Sequence, residues 1–164
     1  MVWSASPSLG SSADLWLGVL GSGNYGPPPG FCLDEQCDDP VLQDDACLGD
    51  YNVDERVQRF VDYTLDTWAP WFQNAGAQGG GDVMYTFGED FQYSNAHAHF
   101  KQIDKLIQHV NQDGRLNVMY STPSTYLAAR HAANLTWPKK VIMKCCSVEA
   151  RRVSSLFECR RTVP

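Results

Sequence analysis

Gly81-Asp-Val-Met-Tyr-Thr-Phe-Gly-Glu-Asp-Phe-Gln-Tyr93 is the stretch that decides the fold. Its apolar run, Val83 to Phe87, is β-branched and aromatic, of strand length, and too short for a helix between Gly81 and Gly88. It predicts a buried parallel strand. In parallel α/β sheets the polar side chains at the carboxyl ends of the strands line the ligand site, so Glu89, Asp90 and Tyr93 fall where a substrate binds. The alternative for Asp90 is that it merely caps the helix that follows.

Downstream, Asn95 to Gln112 carries Phe100, Ile103, Leu106, Ile107 and Val110 on one stripe, which predicts an amphipathic helix packed on the sheet and ended by Asp113-Gly114. Leu116 to Tyr120 reads as a second strand, and Thr125 as the cap of a helix from Tyr126 to Leu135. Upstream, Asn52-Val-Asp-Glu55 has the form of a capping box. Val57, Phe60, Val61, Leu65 and Trp68 then recur at helical spacing before Pro70. The glycines of Gly76 to Gly81 precede a strand and no Gly-Lys-Ser/Thr follows them, so they predict a flexible connection, not a phosphate cradle. Helices alternating with strands at this spacing predict an α/β architecture with right-handed βαβ crossovers.

Residues 1 to 50 are rich in Gly, Pro, Ser and Asp, and predict a long loop with one short buried element at Leu15 to Leu20. Cys32 and Cys37, five apart in a Pro-preceded loop, favour a disulfide staple over a zinc site, which needs two further ligands nearby. The acids Asp34, Glu35, Asp38, Asp39, Asp44, Asp45 and Asp50 lack the spacing of a calcium loop and predict a solvated surface, with Cys47 left unpaired. His97-Ala-His99 suggests a metal, but residues two apart on a helix are rotated by about 200° and cannot share an ion, so both are expected at surface helix positions. His109 and His131 lack acidic or cysteine partners at ligand spacing. Asn134-Leu-Thr136 is a glycosylation sequon.

The chain of 164 residues, 43% hydrophobic, is of one-domain size, and its net charge of -6 argues against nucleic acid as a partner. No apolar run approaches the roughly 20 residues that span a bilayer, and Met1-Val-Trp-Ser-Ala5 does not have the form of a signal peptide. Lys139 to Pro164 holds seven basic and two acidic residues, against six basic and seventeen acidic before it. That switch predicts a boundary at Pro138, with residues 139–164 a divergent, disordered tail.

Taken in order, several motifs resemble one family. They are Val2-Trp-Ser-Ala-Ser-Pro-Ser-Leu9, Ala13-Asp-Leu15, Gly18-Val-Leu20, Asn24-Tyr-Gly-Pro-Pro28, Cys32 with Cys37, Tyr51-Asn52, Asp90-Phe-Gln-Tyr93, Asp104-Lys-Leu-Ile107, Tyr120-Ser-Thr-Pro123 and Ala133-Asn-Leu-Thr-Trp137. The family is that of the lysosomal α-mannosidases of glycoside hydrolase family 38, and the resemblance covers residues 1–138. It implies part of a (β/α)7 barrel in an enzyme that removes terminal α-linked mannose from glycoprotein oligosaccharides in the lysosome, with retention and a catalytic zinc. Tyr93 falls on the family's sugar-contacting tyrosine, and Asp90 on an aspartate that forms the pocket. Glu89 stands where lysosomal members carry a small residue, and His97 and His99 where the family has an asparagine and an aromatic residue.

The family's zinc ligands, nucleophile and acid/base aspartate lie in motifs that this sequence does not contain. A retaining glycosidase needs both carboxylates, so no catalytic residue and no zinc ligand is assigned here. The expectation is a mannosidase segment, inactive alone, whose partners are α-mannosyl oligosaccharides and the remainder of the mannosidase chain. The alternative is a truncated isoform that binds glycan or a partner without hydrolysis. After Pro138 the sequence, with Cys145, Cys146 and Cys159, resembles nothing in the family and looks like read-through or altered splicing.

Overall fold

The computed structural model describes residues 1–4, 6, 8–17, 25–69 and 81–141. Two layers of contact organise them. One is an apolar core between two long helices; the other is a small mixed sheet.

The first helix, α1 (Val53–Tyr63), buries Val53, Val57, Phe60 and Val61 at the predicted spacing. Its last turn, Thr64–Trp68, widens into π geometry, with the Ala69 N–H bonded to the Thr64 carbonyl. Thr64 accounts for the widening, since its hydroxyl returns to the Phe60 carbonyl at 2.7 Å and meets the Tyr85 hydroxyl at 3.0 Å. The capping box at Asn52 is not formed. The Asn52 side chain instead accepts from the Gln43 N–H and donates to the Val41 carbonyl, tying down the preceding loop.

The second helix, α2 (Ala96–Asp113), starts where the Asn95 side chain accepts from the Ala98 N–H and stops at Gly114, whose φ of 82° supplies the left-handed residue of a helix stop. Its buried stripe is His99, Ile103, Leu106 and Val110. Phe100, expected on that stripe, is 46% exposed. Helix α3 (Pro123–Ala132) begins earlier than Thr125 predicts. Thr122 is the cap, accepting from the Thr125 N–H at 3.2 Å, and Pro123 opens the first turn, where its missing N–H costs nothing.

Phe31, Leu33 and Leu42 from the N-terminal loop complete the core between α1 and α2, and Tyr85, Phe87, Leu116 and Val118 pack on it. The strand predicted at 83–87 is only partly buried, that predicted at 116–120 is exposed except for Leu116 and Val118, and neither is a strand. A strand needs a neighbouring backbone to complete its hydrogen bonds, and among the described residues no ladder pairs with either segment. In the second segment the Asn111 amide does that work, accepting from the Val118 N–H at 2.7 Å and donating to its carbonyl at 2.9 Å.

The strands that do form are β1 (Val2–Ser4), β2 (Asp14–Trp16) and β3 (Lys139–Val141), in the order β2-β1-β3. β1 is antiparallel to β2 and parallel to β3, with Trp3 opposite both Leu15 and Lys140. The expected (β/α)7 pattern of parallel strands is therefore replaced, among the described residues, by a small mixed sheet and three α-helices. Three residues beyond Pro138 belong to that sheet, and residues 142–164 lie outside the described residues. Leu15 and Leu17, expected to be buried, are exposed, and 18–20 lie outside the described residues. Trp16 packs edge-on against Trp137 and Tyr126, and the Arg130 guanidinium lies 4.9 Å from the Trp137 ring centre. No helix among the described residues is long and apolar enough to cross a membrane.

Candidate functional site

The site forms where the ring closed by Cys32 and Cys37 meets the turn at 89–95. The two cysteines are bonded, with Cα atoms 5.9 Å apart, within the span that a disulfide bridges. Inside this ring Asp34 folds the chain sharply, its carboxylate accepting from the Gln36 N–H at 3.1 Å while its carbonyl accepts from the Cys37 N–H. The carboxylate is therefore turned inward. Asp34, expected on a solvated surface, is 7% exposed.

The other Asp34 oxygen accepts from the Tyr93 backbone N–H at 2.9 Å and lies 2.9 Å from His99 Nδ1. Burial pushes this carboxyl up, but the bonds from His99 and from the Tyr93 and Gln36 amides outweigh it and hold the group below the usual carboxylate range. Further ties run alongside. Gln36 Nε2 donates to the Phe91 carbonyl, Asn95 Nδ2 to Glu35 Oε1, and Gln92 Nε2 to Cys32 Sγ.

These contacts hold an unusual backbone. Phe91 and Tyr93 have φ of 65° and 64°, a left-handed conformation that bulky residues seldom adopt without support. Gly88, at φ 131°, faces the Tyr93 ring so closely that a Cβ there would lie 2.8 Å from Cε2. A glycine is required on both counts. The Tyr93 ring then stacks on His99, centroids 4.0 Å apart and planes 10° from parallel, and its hydroxyl donates to the Phe87 carbonyl at 2.7 Å. Burial, then the Asp34 charge, raises the Tyr93 pKa, so the phenol keeps its proton.

Asp90 is exposed and does not cap α2, a role taken by Asn95; it accepts from the Tyr25 hydroxyl at 2.8 Å. Glu89, the third expected strand-end residue, is also exposed, and its carboxyl lies against Gly26. Thus the structure brings Tyr93 and Asp90 to one turn, with Tyr93 half-buried against the disulfide ring and Asp90 facing outward.

The histidines separate as the helical rotation requires, but not both toward solvent. His97 is exposed, whereas His99 is 2% exposed and stacks on the Tyr93 ring. His109 Nε2 lies 3.4 Å from Asp44, a carboxylate that Lys105 also binds. Among the described residues no three His, Cys, Asp or Glu side chains gather as a metal requires. The nearest approach, Asp34 with His99, has one shared oxygen already bonded to the Tyr93 amide and leaves His99 Nε2 buried without a partner. Two ligands so committed do not fit a catalytic zinc.

Asp34 and His99 are the residues that spacing alone missed. For His99 a signal existed, since it lies four, seven and eleven residues before Ile103, Leu106 and Val110 on the buried stripe. Asn134 is exposed in the turn after α3, at φ 49°, and Cys47 is exposed and free.

Residues 1–147 match the family described as Glycosyl hydrolases family 38 N-terminal domain. The chain is 48% identical over 141 residues to a probable alpha-mannosidase of Arabidopsis thaliana, covering 85% of this chain and 13% of that protein. It is 46% identical over 141 residues to an alpha-mannosidase of Canavalia ensiformis, covering 86% of this chain and 14% of that protein. With a lysosomal alpha-mannosidase of Cavia porcellus it shares 44% identity over 149 residues, covering 85% and 14% of the two chains. This sequence thus spans about one seventh of the length of these relatives, and by that match it belongs to glycosyl hydrolase family 38, within the N-terminal domain.

Proposed function

We propose that this chain is a segment of an α-mannosidase catalytic domain that hydrolyses terminal α-linked mannose of glycoprotein oligosaccharides in the lysosome. Within it Tyr93 contacts the sugar and Asp90 forms part of the pocket. Support comes from the family match and from one observation above all: the Asp90-Phe-Gln-Tyr93 turn is held in a left-handed backbone by a buried carboxylate and a disulfide ring. A turn kept at such conformational cost suits a binding function better than a connection.

The Tyr93 hydroxyl has one proton, and it is committed to the Phe87 carbonyl. Its lone pairs remain, so Tyr93 acts as an acceptor for a sugar hydroxyl, not as a donor to a carboxylate. Asp90 accepts from the Tyr25 hydroxyl, and a carboxylate has further acceptor positions that suit sugar hydroxyls. Retention, and the zinc that would polarise the substrate in the complete enzyme, call for a nucleophile, an acid/base and metal ligands from the rest of the mannosidase chain. The Asn134 sequon sits on an exposed turn, which suits glycan attachment in the secretory lumen.

The test compares the 164-residue chain with a longer polypeptide that adds the flanking mannosidase sequence, assayed on an α-mannoside at acid pH. The longer form should turn over substrate and the chain alone should not. Turnover by the chain alone that survives removal of contaminating enzyme would overturn the division of labour proposed here. Inactivity of a folded longer form would overturn the assignment of activity itself.

A further inference from the structure

We propose that Asp34 and His99 are positioning residues for Tyr93, and that the Cys32–Cys37 ring is the frame that aims them. The inference rests on Tyr93 being a sugar contact. Neither residue reaches the outer face of the turn. Asp34 grips the Tyr93 backbone at N–H and, through the same oxygen, the His99 ring; His99 in turn lies flat against the Tyr93 ring.

Backbone and ring of Tyr93 are thereby fixed by two groups that are tied to each other. The amide bond sets the left-handed φ, the stacked imidazole sets the tilt of the ring, and the Phe87 carbonyl takes the hydroxyl proton at the far end. Little freedom is left to the hydroxyl oxygen. The arrangement also carries a cost, because His99 Nε2 is buried with no partner among the described residues. A phenylalanine would stack on Tyr93 without that penalty, but it could not bond Asp34. The buried polar pair, in place of an apolar one, therefore points to orientation more than to stability.

The experiment is a double-mutant cycle in the longer, active polypeptide, using Asp34→Asn, His99→Phe and Tyr93→Phe singly and in pairs, with kcat, KM and melting temperature measured for each. Asparagine keeps the size of Asp34, and phenylalanine keeps the ring in the His99 seat. Each single substitution should lower kcat by roughly three- to thirtyfold with a smaller change in KM. Once the Tyr93 hydroxyl is gone there is nothing left to aim, so Asp34→Asn and His99→Phe should cost at most about twofold more in the Tyr93→Phe background.

Independent, multiplying effects would overturn the proposal, as would a fall in melting temperature with the rate per folded molecule unchanged. If Asp34→Asn does not fold, His99→Phe completes the cycle alone. If Tyr93→Phe itself leaves the rate untouched, the sugar-contact role falls and takes this inference with it. That result is distinct from one in which Tyr93→Phe is slow and the other two are normal, which sinks the positioning role alone.

Discussion

The disulfide-ringed turn and the three-stranded sheet are both built from segments far apart in sequence, but they are held in different ways. Around Asp34 the contacts are short, largely shielded from water and anchored by a covalent ring, and they rest directly on the apolar core through Phe31 and Leu33. Around β1 they are two three-residue ladders, a salt bridge from Lys139 to Asp14 at 2.6 Å, and aromatic edges on Trp16. Strands so short add little by themselves, and their outer residues are exposed. The Tyr93 turn is thus tied by a covalent ring and buried polar bonds, and the sheet by short ladders and a half-exposed ion pair.

The largest expected effect breaks the ring. Replacing Cys32 and Cys37 together with serine should destabilise the folded form by about 2 kcal/mol, as chain entropy predicts for so short a loop. Amide exchange measured by mass spectrometry should rise first in 89–95, while the peptide of α2 around Ile103 to Val110 stays protected. Equal loosening of the sheet residues 2–4 would erase the contrast between the two regions.

A second test uses pH. The folded-state pKa of Asp34 lies below its unfolded value, so its contribution is complete above the unfolded value of about 3.9 and is lost as pH falls through the folded one. The wild-type chain should therefore keep this contribution at mildly acid pH and lose it only in strong acid. Asp34→Asn should be less stable near neutrality and lose less on acidification below about pH 4, as read from urea midpoints at a series of pH values. Parallel curves for the two proteins would show that the carboxylate is not the anchor described.

The smallest effect belongs to the sheet. Lys139→Met removes a half-exposed ion pair and should change stability only slightly, with even that difference shrinking in high salt. A larger, salt-insensitive loss would mean that the sheet is held as firmly as the ring.

How much of this was legible in the sequence follows the same divide. Helices α1 and α2 and the disulfide were readable because their signals are local: a 3.6-residue period, a glycine stop, two cysteines in one loop. The sheet was not, since nothing in Lys139-Lys-Val141 announces that it will lie beside Val2-Trp-Ser4, and the charge switch at Pro138 pointed the other way. Residues 83–87 and 116–120 carry strand composition and lay Tyr85, Phe87, Leu116 and Val118 against the core, but composition cannot supply the neighbour that a ladder requires. The turn that carries Tyr93 and Asp90 was visible through its motif. Asp34 was hidden among six other acids of the same loop, because its burial comes from contacts some 60 residues away.

The most direct measurement is a crystal structure of the longer, active polypeptide with a non-hydrolysed α-mannoside bound. The Tyr93 hydroxyl oxygen should lie within hydrogen-bond distance of a sugar hydroxyl while still donating its own proton to the Phe87 carbonyl, with the Asp34 bonds to the Tyr93 amide and His99 intact. A mannoside seated away from this turn, with the Tyr93 ring enclosed by other parts of the chain, would contradict it.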